Sequence, residues 1–277
     1  MTRWFTFIRN DAQALVDFRF VIQHLVVTQL KLRYHRSVLG IGWTLLNPLL
    51  LLSIQAMAFS QILRVDAKTY TLYLFSGLIL WQFFSNAIES GSRSLVSNER
   101  LIRAVSAPKL LFPLTDVLVS MIHSGFTLVA FFVVALFFGA VPVHRQLVLL
   151  PAGVVLLAMF TLGIVLIAMT MMTFFRDFAH IIGVFLSAAY FGSPILYPPQ
   201  SGNRFQEVLR YNPLSYYLEF FHDALVSGSF LTPNGAAAGG VWPSTETWIV
   251  AAVTSALSLL VGYLVYKTFE QDYIFHL

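Results

Sequence analysis

The sequence is poor in charged residues and contains no cysteine. Charged residues make up 11% of its 277 positions, against about 25% in a typical soluble domain. Because cysteine is absent, disulfide bonds, iron–sulfur clusters and thiolate zinc sites are excluded. The composition is 57% hydrophobic with a mean hydropathy of +0.74, which indicates that lipid rather than water surrounds most of the chain.

Motifs of common catalytic and nucleotide-binding sites are also missing. The chain has no G-x-x-x-x-G-K-[ST] phosphate-binding loop, so we expect it not to hydrolyse ATP by itself. It has no H-E-x-x-H zinc motif, and its seven histidines are scattered. We therefore expect no catalytic residue, no metal site and no cofactor in this chain, and no nucleic acid among its partners.

Six stretches are long and apolar enough to cross a bilayer as helices, which takes roughly 20 residues. They are continuously apolar, whereas membrane-spanning strands alternate apolar and polar residues over segments of about 10. The sequence therefore predicts an all-α membrane protein with six transmembrane helices in a single domain, in which 1–40 precede the membrane domain 41–269 and 270–277 follow it. The predicted spans are Ile41–Leu63, Tyr70–Glu89, Leu110–Phe138, Leu147–Phe174, Phe178–Tyr197 and Trp248–Phe269.

Lysine and arginine are distributed unevenly among the segments that connect these spans. Most of the 17 fall on one side if both termini lie in the cytoplasm, with large groups before the first span and in the loop Gly91–Lys109. Cytoplasmic loops are enriched in lysine and arginine, so we expect cytoplasmic N- and C-termini. The first 19 residues lack the uninterrupted apolar stretch of a signal peptide, and we expect insertion to begin with the first span.

Three segments outside the spans are expected to be partly helical. Asp17–Arg36 has an imperfect apolar arc, which predicts an amphipathic interfacial helix on the inner leaflet, or alternatively a cytoplasmic helix packed on protein. In Gly91–Lys109, Ser97 or Asn98 is expected to cap a short cationic helix that Pro108 ends. Pro198–Thr247 is predicted to form two short outer-face helices and a loop.

Ionisable residues inside the predicted spans are few. Glu89 and Asp116 lie near the inner ends of the second and third spans, and His123 lies deeper. Such residues mark functional sites by default, but the chain has no ladder of carboxylates for coupling to protons or sodium. For His123 we expect a hydrogen bond to a neighbouring helix rather than proton transfer.

Five blocks of sequence follow one another along the chain. They are KLRYHRSVLGIGWTLLNPLL (Lys31–Leu50), FSGLILWQFFSNAIESGSRSLVSNERLIRAVSAPKLLFPL (Phe75–Leu114), FFRDFAHI (Phe174–Ile181), GSPILYP (Gly192–Pro198) and YNPLSYYLEFF (Tyr211–Phe221). In this order they resemble the ABC-2 type permeases that export cell-surface polysaccharides, namely the O-antigen and teichoic-acid permeases. One departure is Ser106-Ala107-Pro108, because family members often have an aromatic residue before this proline.

The resemblance implies a multi-pass permease in a bacterial inner membrane. Two copies would form a homodimer around a channel, and two copies of a separate ATPase subunit, which holds ATP and magnesium, would dock beneath them. The substrate would be a glycan linked to the lipid undecaprenyl pyrophosphate, with O-antigen as the main expectation.

Four groups of residues follow as predicted sites. For the substrate pyrophosphate we predict Lys31, Arg33, Tyr34 and Arg36, which alternatively only hold the N-terminus inside and attract anionic lipid. For sugar stacking in the channel we predict Trp43, Phe59, Tyr190 and Tyr197, which alternatively belong to an interfacial aromatic belt. For the ATPase-coupling helix we predict Asn98, Glu99, Arg100, Arg103 and Pro108, with Arg176 and Asp177 as a secondary contact; the alternative is a solvated basic loop.

Other functions remain open from the sequence. Teichoic-acid or capsular polysaccharide export fits the same pattern, as does an ABC-2 permease for a drug or a simple lipid. A membrane-embedded glycan enzyme would need a pair of carboxylates or histidines at the membrane face. Glu219 and Asp223 have helical spacing for such a pair, but we expect them to belong to a solvated helix face.

Overall fold

The computed structural model describes residues 2–34, 42–105, 107–139, 145–197, 209, 211–226 and 243–276, and these residues form helices, turns and short connections without a strand. The all-α fold class is therefore confirmed. In chain order the helices are α1 (Thr2–Asp17), α2 (Arg19–Tyr34), α3 (Gly42–Leu63), α4 (Ala67–Ser92), α5 (Ser94–Ser97), α6 (Glu99–Ala104), α7 (Leu111–Phe137), α8 (Leu149–Phe174), α9 (Phe178–Phe191), α10 (Pro213–Leu225), α11 (Thr245–Phe269) and α12 (Tyr273–His276), and a 3-10 helix at Arg145–Val148 precedes α8.

Five helices of the described chain are long and apolar enough to span a membrane, namely α3, α4, α7, α8 and α11. They correspond to five of the six predicted spans. The sixth predicted span, Phe178–Tyr197, is longer than the helix that the structure shows there, because α9 ends at Phe191 after 14 residues. At 1.5 Å per residue α9 is about 21 Å long, shorter than the roughly 30 Å of a hydrocarbon core.

The end of α9 has a local cause. Pro194 lacks a backbone N–H and disfavours helical geometry in the residue before it, so a helix cannot run smoothly through Ser193. The chain turns instead and packs on α4. The hydroxyl of Tyr73 donates to the Pro194 carbonyl at 2.9 Å, and that of Tyr70 donates to the Leu196 carbonyl at 2.5 Å.

Helix α4 is the centre of the bundle. Residues 72–80 are all buried, so the helix is covered around its whole circumference at this level. It packs against α3, α7, α8, α9 and α10. A helix that is covered on all sides belongs inside a bundle rather than at the lipid surface, which places the side chains of residues 72–80 between neighbouring helices.

Helices α8 and α11 touch backbone to backbone. A Cβ atom added at Gly163 would lie 2.2 Å from the Ser258 carbonyl, and one added at Gly262 would lie 2.2 Å from the Gly163 carbonyl oxygen. The hydroxyl of Ser255 donates to the Leu156 carbonyl at 2.8 Å, and the hydroxyl of Ser258 donates to the Phe160 carbonyl at 2.8 Å. Small residues allow this close approach between apolar helices, where dispersion and interhelical hydrogen bonds replace the hydrophobic effect.

The N-terminal segment is more helical than the sequence indicated. Helix α1 was not predicted, whereas α2 falls within the predicted Asp17–Arg36. One side of α2 packs on α7, where Val26 is buried. The other side exposes Phe20 and Leu32. The packed side agrees with the alternative of a helix packed on protein, and the interfacial position stays a prediction.

The predicted cap of α6 is absent, whereas α10 begins with a cap that was not predicted. The side chain of Asn98 does not cap α6, because its Nδ2 donates backwards to the Ser94 carbonyl at 2.8 Å; α6 also ends at Ala104, where Val105 is extended, rather than at Pro108. The side chain of Asn212 does cap α10, accepting from the backbone N–H of Leu214 at 3.0 Å. The other predicted outer helix and the predicted loop 231–243 lie outside the described residues, apart from a few positions.

Candidate functional site: a polar cavity inside the helix bundle

A cavity of about 570 Å³ lies between α3, α4, α7 and α9, and α2 reaches one end of it. Its wall is unusually polar for the interior of an apolar bundle. The polar and ionisable residues that line it are Arg33, Asn47, Gln55, Gln82, Ser85, Asn86, Glu89, His123, Ser124, Thr127 and Ser187. Polar side chains within a membrane bundle are costly unless they bind one another, water or a ligand, so the cavity is a candidate site.

Helix α4 supplies a polar stripe to this wall. Gln82, Ser85, Asn86 and Glu89 lie at spacings of three, one and three residues, which places them on one face of a helix. The opposite faces of α4 are packed in the core. The stripe was visible in the sequence as a set of polar residues at helical spacing inside an apolar run, but only Glu89 was singled out there.

Helix α7 adds a second polar group opposite the α4 stripe. His123 is buried against the cavity and stands one turn before Thr127. The hydroxyl of Thr127 donates to the His123 carbonyl at 3.2 Å and to Oε1 of Gln82 at 3.4 Å, so α7 and α4 are joined across the wall. Asp116 is directed elsewhere and accepts a hydrogen bond from Gln29 of α2.

Aromatic residues mark the far end of the cavity from Arg33. The rings of Trp81 and Tyr190 have centroids 5.2 Å apart, and the hydroxyl of Tyr190 donates to Oε1 of Gln55 at 3.1 Å. Trp81, Tyr190 and Gln55 therefore connect α4, α9 and α3. Rings with a polar handle bind the apolar faces of sugars while offering a hydrogen bond, so this end suits a glycan.

The predicted substrate residues divide around the cavity. Arg33, Trp43 and Tyr190 line it. Phe59 packs partly buried against the core, and the hydroxyl of Tyr197 donates to the Phe191 carbonyl at 2.6 Å in the turn after α9. Lys31 is exposed on α2 away from the lining, whereas the side chain of Tyr34 and all of Arg36 lie outside the described residues. Their roles in substrate binding stay predictions.

The predicted ATPase-contact residues lie at the bundle end that carries α6. No residue of α6 is buried, and Arg103 pairs with Glu99 along the helix at 3.0 Å. Arg100 is exposed, as are Arg176 and Asp177 in the turn between α8 and α9. This arrangement leaves charged side chains free to contact another protein, and the docking role stays a prediction.

The acid pair on α10 is part of a packed helix rather than a cavity. Glu219 accepts a hydrogen bond from the hydroxyl of Thr247 at 2.8 Å, which ties α10 to α11. Burial and then the neighbouring Glu219 raise the pKa of Asp223 to about 7. On the same helix His222 stacks on Tyr73 at 4.1 Å and contacts the Ser76 hydroxyl at 2.8 Å. These contacts attach α10 to the bundle.

The sequence of this chain is similar to those of known proteins. Residues 21–226, more than half of the chain, match the family model of the ABC-2 type transporters. Two O-antigen export system permease proteins RfbA of Klebsiella pneumoniae are 28% and 29% identical, over 72% of this chain and 78% and 77% of their own lengths. The RfbA protein of Myxococcus xanthus is 29% identical over 66% of this chain and 70% of its own. The chain is thus a multi-pass membrane protein and belongs to the ABC-2 type transporter family.

Proposed function

We propose that this chain is the permease subunit of an ABC transporter that exports O-antigen as a lipid-linked glycan across the bacterial inner membrane. The polar cavity inside the helix bundle carries the proposal, since a glycan needs hydrogen-bonding groups along its path through an apolar region. The permeases of Klebsiella pneumoniae and Myxococcus xanthus, which are named for O-antigen export, support this substrate class.

The cavity is open on one side, and we propose that a second copy of the chain covers it in a homodimer. Asn86 and Glu89 would be costly to expose to lipid hydrocarbon. Apolar side chains are exposed on α3 and α9, two helices that line the cavity; among them are Leu51 and Phe185, and these suit packing between copies. Two facing cavities would then form one water-filled path.

The energy source is expected on a different polypeptide. This chain lacks a phosphate-binding loop, and members of the ABC-2 transporter family imply an ABC ATPase as a partner. We propose that two ATPase copies dock at the bundle end that carries α6, with Arg176 and Asp177 as a secondary contact. Export is then driven by ATP, which this chain does not itself bind.

Each end of the cavity suits a different part of the substrate. Arg33 would bind the pyrophosphate, because its planar guanidinium forms paired, charge-assisted hydrogen bonds with phosphate oxygens. Trp81 and Tyr190 would stack on sugars further along. The lipid-linked form of the substrate and its undecaprenyl pyrophosphate headgroup are part of this proposal.

The test replaces the polar wall without changing the fold. The double variant Gln82→Leu and Asn86→Leu keeps side-chain size but removes hydrogen-bonding groups from the path, and Gln61→Leu on the exposed side of α3 is its matched control. In a strain that lacks the chromosomal copy, we expect the double variant to leave lipid-linked glycan in the inner membrane, whereas the control restores surface O-antigen.

Two outcomes would overturn the proposal. Normal surface O-antigen with the double variant at wild-type protein levels would exclude the cavity as the path. A deletion strain that accumulates no lipid-linked glycan would exclude glycan export and favour a drug or simple lipid as substrate.

A further inference from the structure

A second buried cluster, separate from the core around α4, lies at the bundle end that carries α6. We call it the C-terminal cluster; α5, α6, α7, α8, α11 and α12 all contribute to it. Two tyrosines, Tyr266 and Tyr273, are its largest members, and both are almost completely buried. Its buried residues are Leu95, Leu110, Phe112, Leu166, Met169, Tyr266 and Tyr273.

Tyr273 is held in place by two hydrogen bonds and a ring contact. Its hydroxyl forms a hydrogen bond with Oγ1 of Thr170 at 2.7 Å and donates to the Tyr266 carbonyl at 3.3 Å. Its ring packs near Phe174, with centroids 6.2 Å apart. These contacts fix the side chain of Tyr273 against α8 and α11.

The same segment holds the turn between α6 and α7. Nζ of Lys109, in that turn, donates to the backbone carbonyl of Glu270 and lies 5.7 Å from the centroid of the Tyr273 ring. Ile102 of α6 packs partly buried against the C-terminal cluster. Because α6 has six residues and none is buried, its orientation depends on such contacts rather than on its own helical stability.

The segment also holds the turn between α8 and α9. Phe174, directly before that turn, contacts Tyr273 and packs against His276 with ring centroids 4.5 Å apart. The two turns are far apart in sequence, at Lys109 and at Phe175–Asp177, yet residues 270–276 touch the ends of both.

A charged group fixes the base of this segment. Lys267 forms ion pairs with Glu270 at 2.7 Å and with Asp11 of α1 at 3.0 Å. The hydroxyl of Tyr266 donates to the Glu270 carboxylate at 2.9 Å, and the hydroxyl of Tyr263 donates to Asp11 at 2.8 Å. Glu270, whose backbone carbonyl accepts from Lys109, is thus held in place by Lys267 and Tyr266. Helix α1 is attached to Lys267 as well, through Asp11.

We propose that residues 270–276 form a brace that holds α6 and the turn at Phe175–Asp177 in one fixed arrangement, so that both contact the ATPase as a single surface. Tyr273 and Lys109 are its positioning residues. They act through α6 and do not touch substrate or nucleotide. The inference rests on the proposed function, in which α6 docks on the ATPase.

The test measures the mobility of α6 directly. Because the chain has no cysteine, the substitution Ala104→Cys gives this chain one site for a spin label, at an exposed position of α6 that is not among the predicted contact residues. In the purified complex with the ATPase, we expect Tyr273→Ala and Lys109→Met to increase the mobility of the label. We also expect both to reduce the glycan exported per ATP hydrolysed, by roughly fivefold or more. The exposed control Gln271→Ala should preserve both quantities.

Separate outcomes identify which claim fails. If the ATPase still co-purifies with Arg100→Glu combined with Arg103→Glu, the docking of α6 is wrong. If that variant loses the ATPase but Tyr273→Ala and Lys109→Met leave label mobility and coupling unchanged, the brace is wrong. If Tyr273→Ala does not accumulate, Lys109→Met decides, because Lys109 contacts the brace from outside the buried cluster.

Discussion

Gln29 of α2 donates a hydrogen bond to Asp116 of α7 at 3.0 Å, across 87 residues of sequence. Asp116 is almost fully buried where the two helices meet, so this contact fixes α2 against the bundle. Arg33, one turn further along α2, is thereby held at the end of the cavity. The position of Arg33, the predicted phosphate-binding residue, therefore depends on the hydrogen bond between Gln29 and Asp116.

Removal of this hydrogen bond is expected to destabilise the N-terminal attachment. Gln29→Leu leaves Asp116 without its amide donor, and a buried acceptor that loses its partner costs about 1–3 kcal/mol. We expect a lower thermal unfolding temperature in detergent and faster proteolysis before residue 42. Gln23→Leu, on an exposed position of α2, is the control. Equal proteolysis of both variants would contradict the prediction.

The contact between α8 and α11 should not tolerate a side chain at Gly163. Even a methyl group would overlap the Ser258 carbonyl, because backbone atoms cannot move aside as a flexible side chain can. Gly163→Ala is therefore expected to reduce the amount of folded protein. Gly125→Ala is the matched control, since a Cβ there meets no atom within 4 Å and alanine favours the helix by about 0.5–1 kcal/mol. Fluorescence size-exclusion chromatography compares the two.

The aromatic end of the cavity is expected to affect transport rather than folding. Tyr190→Ala removes both the contact with Trp81 and the hydrogen bond to Gln55, whereas Tyr190→Phe removes the hydrogen bond alone. If sugars stack here, export should fall more with alanine than with phenylalanine at equal protein levels. Tyr211→Ala, on an exposed residue outside the lining, should export normally. Normal export by Tyr190→Ala would show that the substrate does not stack on Tyr190, and this end would no longer belong to the proposed path.

Substitutions at Arg33 and Lys31 can distinguish phosphate binding from general attraction to lipid. Both are cations on α2, but only Arg33 lines the cavity. We expect Arg33→Lys to reduce export, because an ammonium group cannot form the paired hydrogen bonds of a guanidinium. Lys31→Arg preserves charge outside the cavity and should have no effect. Full export by Arg33→Lys would exclude phosphate recognition by Arg33 and leave only the attraction of α2 to anionic lipid.

The attachment of α10 is expected to weaken as pH rises. Burial and Glu219 raise the pKa of Asp223 to about 7, above its ordinary value of 3.8, so folding favours the protonated form. The resulting stabilisation is complete below pH 3.8 and is lost as the pH rises through about 7. Thermal unfolding should therefore occur at a lower temperature at pH 8 than at pH 5. Asp223→Asn should flatten this difference, whereas the exposed control Asp272→Asn should not.

The sequence by itself determined the fold class and most of the spans. Long apolar runs must be helical in lipid, because only a helix satisfies its own backbone hydrogen bonds there. Five runs accordingly became helices close to their predicted ends. The sixth ended early at Phe191, since Pro194 and two tyrosines of α4 turned the chain. Asn212 followed by Pro213 is a local capping signal that the sequence prediction did not use.

Only the tertiary structure decided which residues face one another. A single sequence shows that Gln82 and Asn86 share a helix face, but not that this face meets His123 of α7 and Tyr190 of α9. For the same reason the brace could not be predicted from the sequence, since Lys109 and Glu270 are 161 residues apart. Periodicity reports the neighbours of a residue along its own helix, whereas a cavity or a brace depends on helix rotation and packing, which the contacts of the whole bundle set together.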